Sequence, residues 1–295
     1  MFKVGAMSYG LAGVEDGQPA WERILQVAAE LELDGVEFYE THWGGKEKDV
    51  ENAAAVKRRA AELGLELFAI GSGARLGFDD ERRAGVMATL RTQIRAAAAV
   101  GAKVVTFPAI DTAPVPAGGD PAQGGLDFGL GAGPLVDQVR EAAAFAGECG
   151  VRLALLNHCF FVSSSWHQEW VVKLAGAENV GVCLDPGNYL YYDCEDPVSA
   201  TRRLAGSVSM VRLGDWVRRD EEEVKAEFGQ GKRLQLYQAA PFGEGEVDHM
   251  ACFRLLNYSG YEGYLSLKSV GSLPEGPRAA FRRAVERTRA MVEGL

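Results

Sequence analysis

Histidine is scarce, with four among 295 residues. That is too few for a His-rich multinuclear metal centre. Cysteine is sparse as well. Cys149, Cys159, Cys183, Cys194 and Cys252 are scattered and form no CxxC pair, a pattern that predicts buried or idle thiols in a reducing cytoplasm. Basic residues are outnumbered, 31 Lys and Arg against 41 Asp and Glu, giving a formal net charge of −10. Nucleic acid is therefore not an expected partner, because binding its backbone takes a basic footprint. No apolar run reaches the roughly 18 residues of a membrane-spanning helix. Nor does a basic stretch followed by an apolar one open the chain, so neither a membrane partner nor a secretory leader is expected. Proline is modest at 11 beside 36 glycines, which suits many short turns rather than disorder. What remains is 47% hydrophobic and 24% charged, enough apolar material for a sizeable core.

Short β-rich runs alternate with longer amphipathic ones. Strands are predicted near 3–8, 35–38, 65–70, 103–107, 151–157, 179–185, 207–213 and 263–268. Helices are predicted near 19–33, 47–63, 79–100, 134–149, 163–174, 197–204, 250–259 and 275–294, from 3.6-residue periodicity such as Ile24, Val27, Ala28 and Leu31. Gly35, Gly64, Gly101 and Gly150 stand where a helix stops before the next strand. Pro19, Pro134 and Pro197 suit a helix's first turn. Eight strand–helix units of about 37 residues each are the arithmetic of an α/β protein of the (β/α)8 TIM-barrel type, a single domain over 1–295. An open doubly wound sheet is disfavoured, because Ser8-Tyr9-Gly10-Leu11-Ala12-Gly13 lacks the phosphate-loop glycine spacing. Two long stretches, 108–133 and 214–246, follow strands and so belong to the C-terminal face, where barrel active sites form.

The strand ends carry recognisable motifs. Leu155-Leu156-Asn157-His158 closes the fifth strand, Cys183-Leu184-Asp185-Pro186-Gly187-Asn188 the sixth, and Val211-Arg212-Leu213-Gly214-Asp215-Trp216 the seventh. Gly243-Glu244-Gly245-Glu246 precedes a helix, and Gly263-Tyr264-Leu265-Ser266-Leu267-Lys268 forms the eighth strand. With Gly35-Val36-Glu37-Phe38 and Gly101-Ala102-Lys103-Val104-Val105 earlier in the chain, this order resembles the xylose-isomerase-like TIM-barrel superfamily, the sugar phosphate isomerases and epimerases. The resemblance implies a divalent metal at the barrel mouth, ligated by Glu, Asp, His and Glu from strands five to eight. It also implies that the metal bridges sugar oxygens while the two glutamates exchange a proton beside the carbonyl.

At those four positions this chain has Leu156, Asp185, Arg212 and Lys268. Leucine cannot ligate a metal and arginine stays protonated, so no metal and no other cofactor is expected. The family's set with its metal carries −1, whereas the set here carries +1. Three readings stay open. Asp185 between Arg212 and Lys268 forms a self-satisfied network; or Arg212 and Lys268 receive an anionic metabolite; or Lys268 is itself catalytic.

His158 retains the family's histidine and shares the Leu156 side of its strand, which makes it a candidate acid or base. Glu37 is a third catalytic candidate, with Glu40, His42 and Trp43 close behind it in the chain. His42, Asn188, Asp215, Trp216 and Arg218 are candidate substrate contacts beside Asp185 and Arg212. Trp166 and His167 could cover the pocket, though helix packing accounts for them as well, and Glu246 could face the site. The functional expectation is a metal-independent isomerase, epimerase or lyase on a small carbohydrate-like ligand, and a homo-oligomer is compatible with the resemblance. The alternative is a non-catalytic relative that binds a metabolite or a partner protein. A DNA-repair endonuclease on this barrel is disfavoured by the acidity and the few histidines.

Overall fold

Parallel strands covered on both faces read as near-continuous apolar runs, and the runs here do so: Val-Gly-Val-Cys-Leu over Val180–Leu184 is buried throughout. The computed structural model describes residues 2–11, 21–39, 49–110, 128–158, 161–193, 195–228, 236–268 and 270–295. The barrel strands are β1 (Lys3–Met7), β2 (Gly35–Tyr39), β3 (Glu66–Gly71), β4 (Val104–Pro108), β5 (Arg152–Leu156), β6 (Val180–Leu184), β7 (Val208–Leu213) and, last in the chain, β10 (Tyr264–Leu267). They close in the order β1-β10-β7-β6-β5-β4-β3-β2, and every pair is parallel. The (β/α)8 expectation is met, and the strand ends agree with the sequence reading to within about two residues.

The helices pack outside. Ala-rich Arg82–Val100 buries Leu90, Ile94 and Ala97 and stops at Gly101, whose φ of 88° is the left-handed geometry that glycine tolerates. The helix expected from Pro134 begins earlier, at Phe128, so Pro134 lies inside Phe128–Glu148. Contacts of Phe128 explain the early start: its ring packs on Phe161 at 5.6 Å and stacks on His167 at 4.3 Å. The loop after β7 contains an antiparallel ribbon, β8 (Trp216–Arg218) with β9 (Tyr237–Ala239), and the helix Glu221–Phe228. Much of the first long stretch, 111–127, lies outside the described residues, as do Glu40, His42 and Trp43. Among the described residues no helix is long and apolar enough to cross a membrane.

Two cores result. The larger lies between sheet and helices. The smaller, with Phe68, Ala154, Leu156, Cys183, Met210 and Tyr264, lies within the barrel. Phe68 and Tyr264 stack at 3.9 Å, and Gly5 makes room for them, since a Cβ there would sit 2.4 Å from the Phe68 ring. Strand alternation carries the same inward direction up from Met210 to Arg212, from Cys183 to Asp185, and from Tyr264 through Ser266 to Lys268. The apolar plug thereby gives way to charge at the C-terminal face.

Candidate active site

Arg212 and Glu37 meet across the barrel axis. Arg212 Nε donates to Glu37 Oε1 at 3.0 Å and Oε2 at 3.2 Å, while Nη2 donates to Glu37 and, at 2.6 Å, to the Thr106 hydroxyl. Ser266 Oγ donates to the second oxygen of Glu37 at 2.9 Å. Both charged side chains are buried, Glu37 completely and Arg212 to 4% exposure. Gly71 leaves the space for them, because a Cβ there would lie 2.8 Å from Arg212 Nη2. Burial works against the charged form of Arg212, but the Glu37 carboxylate outweighs it and raises the guanidinium pKa above its usual value.

A second pair lies beside it. Lys268 Nζ donates to Asp185 Oδ2 at 2.5 Å and to Asn188 Oδ1 at 2.9 Å. Asp185 is fully buried, and its other oxygen caps the short helix Pro186–Asn188 by accepting from the Asn188 amide at 3.2 Å. Asn188 in turn donates to the Asn157 carbonyl at 2.9 Å, and Asn157 Nδ2 to the Asp185 carbonyl at 3.0 Å. The Arg–Asp–Lys network, one of the three open readings, is thus replaced by two distinct pairs, Arg212 with Glu37 and Lys268 with Asp185. The cause is register: Arg212 is level with Ser266 on β10, and Lys268 stands one inward position higher.

Above these pairs opens a cavity of about 560 Å³. Leu156, His158, Asn188, Arg212, Trp216 and Lys268 line it, so most of the candidates from strands five to eight converge. His158 meets Tyr192 edge-on at 5.4 Å, and its imidazole is pushed down to about 4 by burial and by Lys268, Arg75 and Arg212. It is therefore neutral at pH 7. Trp216 stacks on Tyr191 at 4.2 Å and lies against Gly187, where a Cβ would approach its indole to 2.7 Å. Burial holds the Cys183 thiol up at about 12, so it stays protonated.

Other candidates lie elsewhere. Glu37 is engaged below the cavity by Arg212. Asp215 accepts four backbone amides, from Trp216 at 3.0 Å, Gly243 and Gly245 at 2.9 Å and Val247 at 3.3 Å, and so folds the 243–247 turn. Its oxygen also lies 3.8 Å from His249 Nε2. Arg218 is half exposed and pairs with Glu221 at 3.7 Å, and Glu246 accepts from the Arg218 amide at 2.7 Å. Trp166 is exposed and His167 packs on Phe128; neither is among the residues lining the cavity. Sequence reading missed Arg75, Tyr9, Tyr39, Tyr191 and Tyr192, all of which line the cavity. The available signal was position, since each follows closely on the C-terminal end of a barrel strand or forms it. Among the described residues no group of three or more His, Cys, Asp or Glu is placed to hold a metal ion.

A closed (β/α)8 barrel with a cavity of mixed polar and apolar lining at its C-terminal mouth defines the architectural class. The chain belongs to the xylose isomerase-like TIM barrel family, whose model matches residues 25–291. It is 27% identical to inosose dehydratase of Clostridium perfringens over 138 residues, 46% of each protein; the match thus spans about half the length of that curated relative. Among solved structures it resembles the E. coli 3-keto-D-glucoside 4-epimerase in its apo form, with a TM-score of 0.72, 18% identity and coverage of 98% of this chain and 100% of that one. It also resembles D-psicose 3-epimerase from Clostridium cellulolyticum, solved with D-tagatose, with a TM-score of 0.71, 16% identity and coverage of 98% and 99%.

Proposed function

We propose that the chain is an isomerase, epimerase or lyase acting on a small carbohydrate-like metabolite, and that Arg212 and Lys268 supply the positive charge that the family resemblance assigns to a divalent metal. The observation that carries this reading is the convergence of Lys268, His158 and Arg212 on one open cavity of about 560 Å³ at the strand ends.

A metal does not fit the donor set. A hard divalent cation takes several oxygen or imidazole donors. The four positions in question offer one carboxylate, one alkyl chain and two cations, and the carboxylate of Asp185 already has Lys268 Nζ at 2.5 Å. No step is therefore routed through a metal.

Reactions of this class begin by removing a proton from the carbon beside a carbonyl. Lys268, oriented by its hydrogen bonds to Asp185 and Asn188, donates its third N–H to the carbonyl oxygen. Neutral His158 takes the proton, the C–H electron pair forms the new C=C bond, and the C=O π pair moves onto that oxygen. Returning that proton to the former carbonyl carbon, while the proton of the α-carbon's hydroxyl passes to the former carbonyl oxygen, gives aldose–ketose exchange; collapse of the enolate to the carbonyl, with the β-hydroxyl leaving as water on the proton held by His158, gives dehydration. Glu37 is a positioning residue that fixes Arg212. Asn188 and the Trp216–Tyr191 stack form walls for the sugar, and Asp215 and Arg218 shape the loop behind them.

A second reading, a binding protein without catalysis, is favoured by one observation: among the described residues no carboxylate lines the cavity. Proton NMR in D2O separates the two. A panel of aldoses, ketoses, inososes and 3-keto sugars is incubated with the protein, and deuterium incorporation is followed at the α-carbon. Incorporation that Lys268→Met abolishes supports the enzyme. Binding with no incorporation across the panel supports the binding protein.

A further inference from the structure

We propose that the helix Ser165–Ala175 docks on the same helix of a second copy of this chain, antiparallel about a two-fold axis through Trp170, so that the protein is a dimer in solution. The dimer does not depend on the functional reading above.

Trp166, Trp170 and Leu174 follow one another at four-residue steps and so form one stripe along the helix. Their relative exposures are 44%, 54% and 44%. Seven large apolar side chains are exposed among the described residues, and three of the seven stand in this stripe. On its other side the helix buries Gln168, Val171 and Ala175. An outer helix with one buried face ordinarily turns polar residues to water. Pro277–Glu293 does so, with Arg278, Arg282 and Glu286 exposed at the same spacing. Ser165–Ala175 instead carries apolar residues on both sides, which suits a helix packed between two surfaces.

Three features select a second copy as the occupant. Charge is the first. The chain carries −10, so two copies repel where acidic surfaces meet. The ion pairs beside the stripe do not share that sign. Glu169 holds Lys173 at 2.7 Å and Arg203 at 3.2 Å. Arg140, whose Nη2 donates to the Leu174 carbonyl at 2.6 Å, pairs with Asp137 at 3.2 Å. Three basic side chains thus flank the stripe against two acidic ones. Shape is the second feature. The stripe is bulky at both ends and at its centre. Turned antiparallel, it lays Trp170 on Trp170 of the second copy and Trp166 on that copy's Leu174, which is the self-complementarity a two-fold contact needs. Area is the third. Two indoles about half exposed and one leucine offer about 300 Å² of apolar surface. That is core enough for an interface of about 800 Å² per copy, with the flanking ion pairs as its polar rim. Trp166 is already braced edge-on against Phe128 at 5.6 Å, which lowers the cost of ordering it on docking.

Sedimentation velocity of the full chain from about 1 to 100 µM tests the pairing. The expected result is a dimer that grows in over that range. Trp170→Glu changes an exposed side chain and is expected to weaken the dimer at least tenfold with the circular dichroism unchanged. Single cysteines then read the geometry under mild oxidation, with the parent protein as control for its native thiols. Trp170→Cys is expected to link to its own copy, because it lies on the axis. Trp166→Cys alone is not, since its copy lies about 12 Å away along the helix. With Leu174→Cys added, it is expected to link to that cysteine. A chain still monomeric at about 100 µM, a dimer unaffected by Trp170→Glu, or a dimer in which Trp170→Cys forms no link would each overturn the proposal.

Discussion

Replacing Arg212 with methionine keeps a similar stem and removes the guanidinium. Glu37 then loses the contacts from Nε and Nη2 and keeps only the Ser266 hydroxyl at 2.9 Å. The carboxylate is fully buried, and leaving a buried charge without its partner costs about 3–5 kcal/mol. In a domain of this size about 2–4 °C of melting temperature accompanies each kcal/mol, so a drop on the order of 10 °C is expected. Urea and thermal unfolding at pH 7 measure it. The double variant Arg212→Met, Glu37→Gln removes the orphaned charge and should recover at least half the loss, because the penalty belongs to the unpaired ion more than to the missing bond. A single variant within about 1 kcal/mol of the parent protein, or a double variant no more stable than the single, would refute the reasoning.

Gly71→Ala places a Cβ 2.8 Å from Arg212 Nη2, and because Glu37 and Thr106 lock that group the expected loss is about 1–3 kcal/mol by denaturant unfolding. Asp215→Ala frees four backbone amides of the loop after β7; stability should fall by about 2–3 kcal/mol, and amide exchange should rise across 243–247. Acid sensitivity follows from His158 and His249, each held down at about 4 with burial as the main cause. The unfolded chain takes up their protons below about 6.5 while the folded chain resists, so stability falls with falling pH between about 6.5 and 4, by up to about 1.4 kcal/mol per pH unit for each histidine. His249→Phe should flatten that slope in urea titrations run from pH 7 to pH 4, and an unchanged slope would remove His249 from the account.

The barrel was readable because its strands are buried on both faces and appear as apolar runs closed by glycine-stopped helices. The site was readable as a set of strand-end residues, since Leu156, Asp185, Arg212 and Lys268 each lie within one residue of a strand's C-terminal end. Their partners were not. Glu37 and Arg212 are 175 positions apart, and only the barrel's closure and register bring them together. Composition likewise gave no sign that Arg212 would pair with Glu37 while Lys268 paired with Asp185. Asp215 illustrates the opposite error: a loop carboxylate near a mouth suggests substrate, yet four backbone amides occupy it. Arg75 went unnoticed because nothing in the loop after β3 marks it apart from its closeness to a strand end.

The central claim is that fixed cations occupy the place of a divalent metal. Calorimetric titration of the chelator-treated protein with Mn2+, Mg2+ and Zn2+, accompanied by elemental analysis of the protein as purified, tests it most directly. No stoichiometric metal is expected in the purified protein, and no saturable binding at the barrel mouth. One equivalent of any of these ions, lost on Asp185→Asn, would contradict it.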